Sequence, residues 1–174
     1  MLARDIMDRR FHTLHPDMTI QAAVQAFREA TRKEGKKVFG MMVTDDRGHL
    51  VGMLSMYDVL IYIQPKHAAI WGEMGELDPD LLFQEQLRRV KSVKVDDIMT
   101  AEVVTVHPDT HLLVIADIMI KKHIRRLPVV ADHQVAGIVY VSDVFYQCCI
   151  PFERLAGSAN AQVQAPQSPD RPSG

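Results

Sequence analysis

Cysteine is scarce in this chain of 174 residues, which contains only the adjacent pair Cys148 and Cys149. Neighbouring cysteines rarely bridge to each other, and two thiols cannot build a disulfide framework. The sequence also lacks an apolar run close to the roughly 20 residues that a membrane-spanning helix needs. Its first residues turn polar at once and show no apolar core of a signal peptide. These absences predict a cytoplasmic protein without disulfides that has no membrane partner.

An excess of charge of one sign is also missing. The chain has 20 lysines and arginines against 22 aspartates and glutamates, for a net charge of −2. Nucleic-acid-binding domains usually carry a strongly basic face, so we expect no nucleic-acid partner. The sequence contains no glycine-rich phosphate loop, no metal-ligand spacing such as HExxH or Cys-x-x-Cys, and no recognisable nucleophile–base pair. We therefore predict a protein that is not an enzyme, with no catalytic residues and no metal.

What the sequence does contain is an internal repeat. Asp-Ile-Met at residues 5–7 recurs at residues 97–99, and Thr-Leu-His-Pro-Asp at residues 13–17 recurs as Thr-Val-His-Pro-Asp at residues 105–109, both 92 residues later. Gly52 and Asp58 then match Gly137 and Asp143, 85 residues later. The first copy thus has seven more residues between these landmarks, which we assign to loops.

Each copy has the pattern strand, helix, strand, strand, helix. In the first copy we predict strands at residues 11–14, 40–43 and 50–54, and helices from Asp17 or Thr19 to about residue 30 and at residues 57–63. In the second copy the strands are predicted at residues 103–106, 127–130 and 135–141, and the helices at residues 112–122 and 143–149. The spacing of Ile20, Ala23, Val24 and Phe27 predicts one buried stripe on the first long helix. The helix at residues 112–122 is apolar all round, which predicts deeper burial.

The two copies are separated by an insertion. Asp78-Pro79-Asp80 is a typical helix start, and Phe83, Leu87 and Val90 then share one face, so we predict a helix packed on the repeats or on a partner. The residues from Gly157 onward are rich in proline, serine and glutamine, which predicts disorder. We expect a first repeat at residues 1–63, an inserted helical linker at 64–94, a second repeat at 95–156 and a disordered tail at 157–174.

The order of these short motifs, repeated twice, resembles the CBS domain. The resemblance rests on Asp-Ile-Met, on His-Pro-Asp after the first strand, on the basic stretch Arg-Arg-Leu-Pro-Val-Val at residues 125–130, and on the aspartates Asp58 and Asp143 that open the last helices. A tandem pair of such repeats is called a Bateman module. The resemblance implies an α/β (α+β) fold in which two repeats pack sheet to sheet about a pseudo-twofold axis. It also implies a homodimer, and clefts between the repeats that bind an adenine nucleotide or another adenosyl ligand.

The resemblance implies two clefts, each built from both repeats. A carboxylate can accept hydrogen bonds from ribose hydroxyls, and arginine is suited to phosphate oxygens. The first cleft, site one, would be formed by Ser55, Tyr57, Asp58, Val103, Val104, Ile124, Arg125 and Arg126. The second cleft, site two, would be formed by Phe11, His12, Lys37, Val38, Ser142 and Asp143. We expect site one to be the better site, because Ser55-x-x-Asp58 matches the family's Ser/Thr-x-x-Asp pattern whereas Tyr140 replaces the serine in site two.

Structural interpretations of the same residues remain open. Asp58 and Asp143 are also ordinary helix N-caps, and Arg125 and Arg126 could form a solvated surface pair. The function has two corresponding interpretations. One is a regulatory module that senses AMP, ADP, ATP or S-adenosylmethionine and acts on a separate effector protein. The other is a scaffold that dimerises and contacts its partner without any ligand.

Overall fold

A computed structural model describes residues 1–64 and 79–149 of the chain. The elements, in chain order, are α1 (Ala3–Ile6), β1 (Thr13–Leu14), α2 (Ile20–Glu34), β2 (Gly40–Thr44), β3 (Leu50–Ser55), α3 (Met56–Ile63), α4 (Pro79–Val90), α5 (Leu112–Lys122), β4 (Arg126–Ala131) and β5 (Gln134–Tyr140), followed by α6 at residues 141–149. The predicted disordered tail and residues 65–78 of the insertion lie outside the described residues.

The two repeats have matching sheets. In the first repeat β1 runs parallel to β2, which pairs antiparallel with β3. In the second repeat β4 pairs antiparallel with β5, and a single parallel bridge from Val106 to Val129 replaces the β1–β2 pairing. The predicted strands at residues 11–14 and 103–106 were therefore too long. Only Thr13, Leu14 and Val106 have a ladder partner, so the residues before them are not in a strand.

Helix α2 shows how local chemistry sets the ends of an element. The Thr19 hydroxyl accepts a hydrogen bond from the Ala22 N–H at 3.2 Å, which satisfies one of the free donors at the helix N-terminus. Gly35 ends the helix in the left-handed conformation at φ 65°, which costs glycine little. The helix is thus about one turn longer than predicted. The prediction that Val24 is buried was wrong, since it is 40% exposed.

Helix α5 has the predicted bounds but not the predicted burial. Only Leu112, Ile115 and Met119 are buried, which is the stripe that one face of a helix presents to a core. Leu113 and Ile120 are 65% and 72% exposed. The expectation of burial all round was wrong, because one layer of sheet covers one face of the helix only.

The opening segment of each repeat packs in the core of the other repeat. Ala3 of α1 is fully buried in the apolar cluster of the second repeat, and its N–H donates to the carbonyl of Thr110 at 2.8 Å. Val95, at the start of the second repeat, is fully buried in the cluster of the first, and its N–H donates to the carbonyl of Met18 at 2.8 Å. The two repeats are therefore held together by the exchange of their opening segments as well as by the covalent chain between them.

Two glycines make this exchange possible. Met7 lies against Gly137 and Met99 lies against Gly52, so the methionine of each Asp-Ile-Met motif packs on the matching glycine of the other repeat. A β-carbon at either glycine would come within 3.0 Å of methionine side-chain atoms. The close approach, rather than an unusual backbone conformation, requires glycine at both positions.

The inserted helix α4 begins at Pro79, as the Asp-Pro-Asp signal predicted, and packs against α3. Val90 near its end is 4% exposed and belongs to the core of the first repeat, whereas Phe83 and Leu87 are 56% and 39% exposed. The helix is thus anchored on the first repeat at its C-terminal end. Within residues 1–64 and 79–149, the helices are all too short or too polar to cross a bilayer.

Candidate functional site

Asp58 is the third residue of helix α3, which follows strand β3 directly and has Ser55 as its N-cap. The interpretation of Asp58 as the N-cap itself was therefore wrong. The Ser55 hydroxyl and the Ser55 N–H donate to Oδ2 of Asp58 at 2.6 and 2.7 Å, and the Asp58 N–H donates to the Ser55 hydroxyl oxygen at 3.2 Å. This capping box holds the carboxylate in one orientation. Oδ1 makes no hydrogen bond to any described residue, so an acceptor of fixed direction remains for a ligand.

Arg126 approaches this carboxylate from the other repeat. It is the first residue of β4 and pairs with Tyr140 on β5. Burial lowers the pKa of the half-buried Arg126 guanidinium, while Tyr140 and the Asp58 carboxylate act in the opposite direction. The structure shows no ion pair between Asp58 and Arg126 within 4 Å.

The guanidinium of Arg126 packs against Gly40. Gly40 pairs with Ser55 in the first repeat, and Arg126 pairs with Tyr140 in the second. Gly40 and Arg126 therefore occupy equivalent positions in the two repeats. A β-carbon on Gly40 would overlap Nη1 of Arg126 and lie 3.1 Å from its Cζ. The missing side chain in one repeat therefore makes room for the arginine of the other. Sequence analysis missed Gly40, because its role depends on a contact between the repeats.

The remaining residues predicted for site one are more scattered. Arg125 is exposed, and its carbonyl accepts a hydrogen bond from the Val141 N–H at 3.0 Å. Val104 and Ile124 pack against the core of the second repeat. Tyr57 is 69% exposed, and Val103 lines a separate hollow with Leu50 and Thr105. Of the residues predicted for site one, the structure bonds Ser55 to Asp58 and places Arg126 against Gly40, the partner of Ser55 on the neighbouring strand.

Site two is a narrow cleft formed by both repeats. It is lined by Phe11, His12, Val38 and Gly40 from the first repeat and by Ile138 and Tyr140 from the second. Its free volume is only about 20 Å³, room for about one water molecule. Lys36 lines this cleft, whereas the predicted Lys37, Ser142 and Asp143 are not among its lining residues.

Side chains of the protein itself close site two. The Lys36 ammonium lies 5.9 Å from the centre of the Tyr140 ring and 3.7 Å from an Asp8 carboxylate oxygen. His12 Nε2 lies 3.2 Å from a Glu34 carboxylate oxygen. Burial raises the pKa of the Tyr140 hydroxyl, and the nearby Asp8 carboxylate adds to this effect. The ring thus remains neutral and fills the position that serine occupies in site one.

The aspartate of site two is held less firmly than its counterpart. Oδ2 of Asp143 accepts a hydrogen bond from the Tyr140 N–H at 3.3 Å, compared with 2.7 Å for the equivalent bond at Asp58. Tyr140 has no aliphatic hydroxyl with which to complete a capping box, and Ser142 is exposed. The aspartates at equivalent positions of the two repeats thus differ in the hydrogen bonds that hold them.

The two repeats have the same arrangement of helices and strands and exchange their opening segments, so the chain is a tandem pair of one α/β unit. The family described as the CBS domain matches residues 3–65 and 95–148, so the chain belongs to the CBS-domain family and carries the domain twice. This confirms the recognition made from the sequence motifs and the predicted α/β fold class.

Three known proteins show the extent of the similarity. The uncharacterized protein MJ1426 of Methanocaldococcus jannaschii is 28% identical over 156 residues, which cover 83% of this chain and 89% of that protein. The CBS domain of a CBS-domain-containing membrane protein from Sphaerobacter thermophilus is 28% identical with a TM-score of 0.65, covering 84% of this chain and 86% of that one. CBSX2 of Arabidopsis thaliana, solved in complex with AMP, is 27% identical with a TM-score of 0.62, covering 84% and 95% of the two chains.

Proposed function

We propose that the chain is a regulatory module that binds an adenine nucleotide or another adenosyl ligand in site one and acts on a separate effector protein. The observation that carries this proposal is the Asp58 carboxylate, which its capping box with Ser55 orients. Ser55 pairs with Gly40, and the guanidinium of Arg126 from the other repeat lies against that glycine. The AMP complex of CBSX2, a structure 27% identical to this chain, supports the same class of ligand.

The chemistry of site one suits the two ends of a nucleotide. The unbonded Oδ1 of Asp58 can accept a hydrogen bond from a ribose hydroxyl, and the charge on the carboxylate strengthens that bond. Arg126 and the exposed Arg125 can donate to phosphate oxygens through their planar guanidinium groups. AMP, ADP, ATP and S-adenosylmethionine all present an adenosyl group with a ribose, and the arginines favour the phosphorylated members.

We propose further that each chain binds its ligand in site one rather than in site two. The free volume of about 20 Å³ in site two is far below the several hundred Å³ of a typical small-molecule pocket. A ligand there would have to displace Lys36 from Asp8 and His12 from Glu34. Site one needs no such rearrangement of ion pairs, because Asp58 and Arg126 are not bonded to each other.

Thermal unfolding of the full chain against AMP, ADP, ATP and S-adenosylmethionine tests the proposal. A ligand that binds only the folded state, at about ten times its Kd, adds roughly 1.4 kcal/mol to the free energy of unfolding. For a chain of this size that corresponds to a rise in Tm of about 3 to 6 °C. We expect a saturable rise with at least one phosphorylated ligand. No shift with any of the four would favour the ligand-independent scaffold.

Two exposed apolar faces support the proposal that the module works as a homodimer. Leu60 and Ile61 on α3 are 62% and 53% exposed, and Phe145 and Tyr146, 85 residues later on α6, are 60% and 66% exposed. Paired apolar residues at equivalent positions of two repeats form a surface of the kind that often marks an interface. A second copy of the chain could cover both faces at once about a twofold axis.

Glutamate substitutions on these two faces should dissociate the dimer into monomers. Sedimentation velocity is expected to show a dimer for the unmodified protein and a monomer for the double variant Leu60→Glu/Phe145→Glu, because glutamate would be desolvated at the interface without a partner. Leu81→Glu is the matched control, since Leu81 on α4 is 64% exposed and lies outside both faces. A dimer that survives the double substitution would contradict the assignment of these faces.

We also propose that the module catalyses no reaction and acts in the cytoplasm without binding nucleic acid. These parts of the proposal follow from the balanced charge and the missing catalytic motifs of the sequence. The scaffold remains the second candidate function, and the closed site two is the observation that favours it.

A further inference from the structure

An apolar groove lies on the first repeat, between α2, α3 and α4. Its volume is about 470 Å³. Its floor includes Ile20, Val59 and Val90, which are at most 6% exposed, and its walls include Val24 and Leu87, which are 40% and 39% exposed. Apolar side chains that remain open to solvent in a groove of this size are typical of surfaces that bind another protein.

The rim of this groove is basic. Arg28 from α2 and Arg88 and Lys91 from α4 line it, and its described lining contains no aspartate or glutamate. None of the three forms an ion pair within residues 1–64 and 79–149. The carboxylates next to the two arginines already have partners, since Glu29 pairs with Lys33 at 2.9 Å and Glu85 pairs with Arg89 at 2.5 Å. Among the described residues, the three cations around the apolar floor thus have no counter-charge.

Helix α4 presents about two turns of apolar surface along the groove, which is long enough to contact a short partner helix. Phe83, Leu87 and Val90 follow the i, i+4, i+7 spacing along one face. Leu87 and Val90 line the groove, and Phe83, one turn before Leu87, lies beyond this lining and is 56% exposed. Seven residues of helix span about 10 Å, or two turns. A partner helix that lies along this face would present apolar residues at the same spacing.

We propose that this groove binds an amphipathic helix of a separate protein, with apolar residues on the face that enters the groove and acidic residues on both flanks. The apolar face would cover Val24, Leu87 and Phe83, and the acidic flanks would pair with Arg28, Arg88 and Lys91. The proposal rests on that part of the proposed function in which a separate effector protein receives the signal. It adds the surface and the chemistry of that partner.

A second copy of this chain fits the groove less well. If the twofold axis of a dimer passed through the groove, the groove of one copy would meet that of the other, which would place one basic rim against another. Like charges across an interface disfavour the contact. An acidic partner provides the opposite charge, and for this reason we assign the groove to another protein and the apolar faces of α3 and α6 to the dimer.

Fluorescence anisotropy with two synthetic peptides tests this proposal on the full chain. One peptide of about 18 residues carries leucine at the groove-facing positions and glutamate on both flanks, and the other carries lysine in place of each glutamate. We expect saturable binding of the acidic peptide, and binding of the lysine peptide weaker by a factor of about ten or more. The titration contains no nucleotide, so its outcome is independent of the thermal unfolding test of site one.

Charge reversal in the groove provides the decisive comparison. Arg28→Glu/Arg88→Glu should remove the preference for the acidic peptide, whereas Lys121→Glu/Lys122→Glu on α5 changes the net charge equally and should leave it intact. Equal affinity for both peptides, no binding of the acidic peptide, or unchanged binding to the groove variant would overturn the proposal. So would dissociation of the homodimer by the groove substitutions, which would assign the groove to a second copy.

A further variant tests whether the chain fills its own groove. The sequence between α3 and α4 includes Glu73 and Glu76, which could compete with an external acidic helix. If the acidic peptide bound only after Glu73→Gln/Glu76→Gln, the groove would belong to this segment of the chain and the proposal of a separate partner would be wrong. Equal affinity for the unmodified chain and this variant is the result we expect.

Discussion

Asp58→Ala is expected to weaken binding of the stabilising nucleotide by about 10- to 100-fold, because hydrogen bonds to a charged group contribute about 1.5 to 3 kcal/mol. The substitution removes the carboxylate that Ser55 orients toward the cleft. Isothermal titration calorimetry on the full chain would measure the change in Kd. Asp143→Ala, the equivalent substitution in site two, should leave the affinity close to that of the unmodified protein.

The alanine substitution also removes part of a helix cap, which costs about 1 kcal/mol of stability. Asp58→Asn separates the two effects, because the amide oxygen can still accept the Ser55 N–H while the negative charge is lost. We expect Asp58→Asn to have a Tm near that of the unmodified protein. Its affinity for the nucleotide should nevertheless be lower than that of the unmodified protein. Unchanged affinity in both Asp58 variants would exclude site one, and equal losses at Asp58 and Asp143 would mean that both clefts bind.

Gly137→Ala is expected to lower the free energy of unfolding by about 1 to 3 kcal/mol, the usual cost of overpacking a core, and Gly52→Ala is expected to cost less. A β-carbon at Gly137 would lie 2.9 Å from the backbone oxygen of Asp8. That oxygen accepts a hydrogen bond from the Ile138 N–H at 3.0 Å, so it cannot move without breaking the bridge. At Gly52 the close contacts are with the Met99 side chain, which can change rotamer.

Urea denaturation of the two glycine variants measures this difference. A double-mutant cycle adds a control. Shortening Met99 to alanine should recover part of the loss in the Gly52→Ala background, whereas Met7→Ala should recover little in the Gly137→Ala background because the Asp8 oxygen remains. Equal costs for the two glycine substitutions would mean that the backbone contact at Asp8 is not the cause.

Much of the fold could be predicted from the sequence, because local signals determine most of its elements. Thr19 and Pro79 mark helix starts, and the strands of each hairpin were placed within one or two residues of their observed ends. The repeat itself carried the family recognition. Motifs in a fixed order are specific even where each motif is short.

Burial and the clefts were harder to predict, because they depend on contacts between the repeats. The composition of α5 does not show which face meets the sheet, so the exposure of Leu113 and Ile120 was missed. Likewise, Gly40 becomes part of the site only because Arg126 reaches it from the other repeat. Asp58, by contrast, could be named from the sequence, since Ser55-x-x-Asp58 matches the Ser/Thr-x-x-Asp pattern of the family.

The exchange of opening segments has a consequence for how the chain folds. The core of the first repeat includes Val95, and the core of the second includes Ala3. Neither core is therefore complete without the opening segment of the other repeat. During synthesis the first repeat must wait for residues of the second before its interior can close. Contacts such as that of Ala3 with Thr110 also span most of the chain, which slows folding. We therefore expect the two repeats to unfold as one cooperative unit, and either repeat expressed alone to expose the place that the missing segment fills.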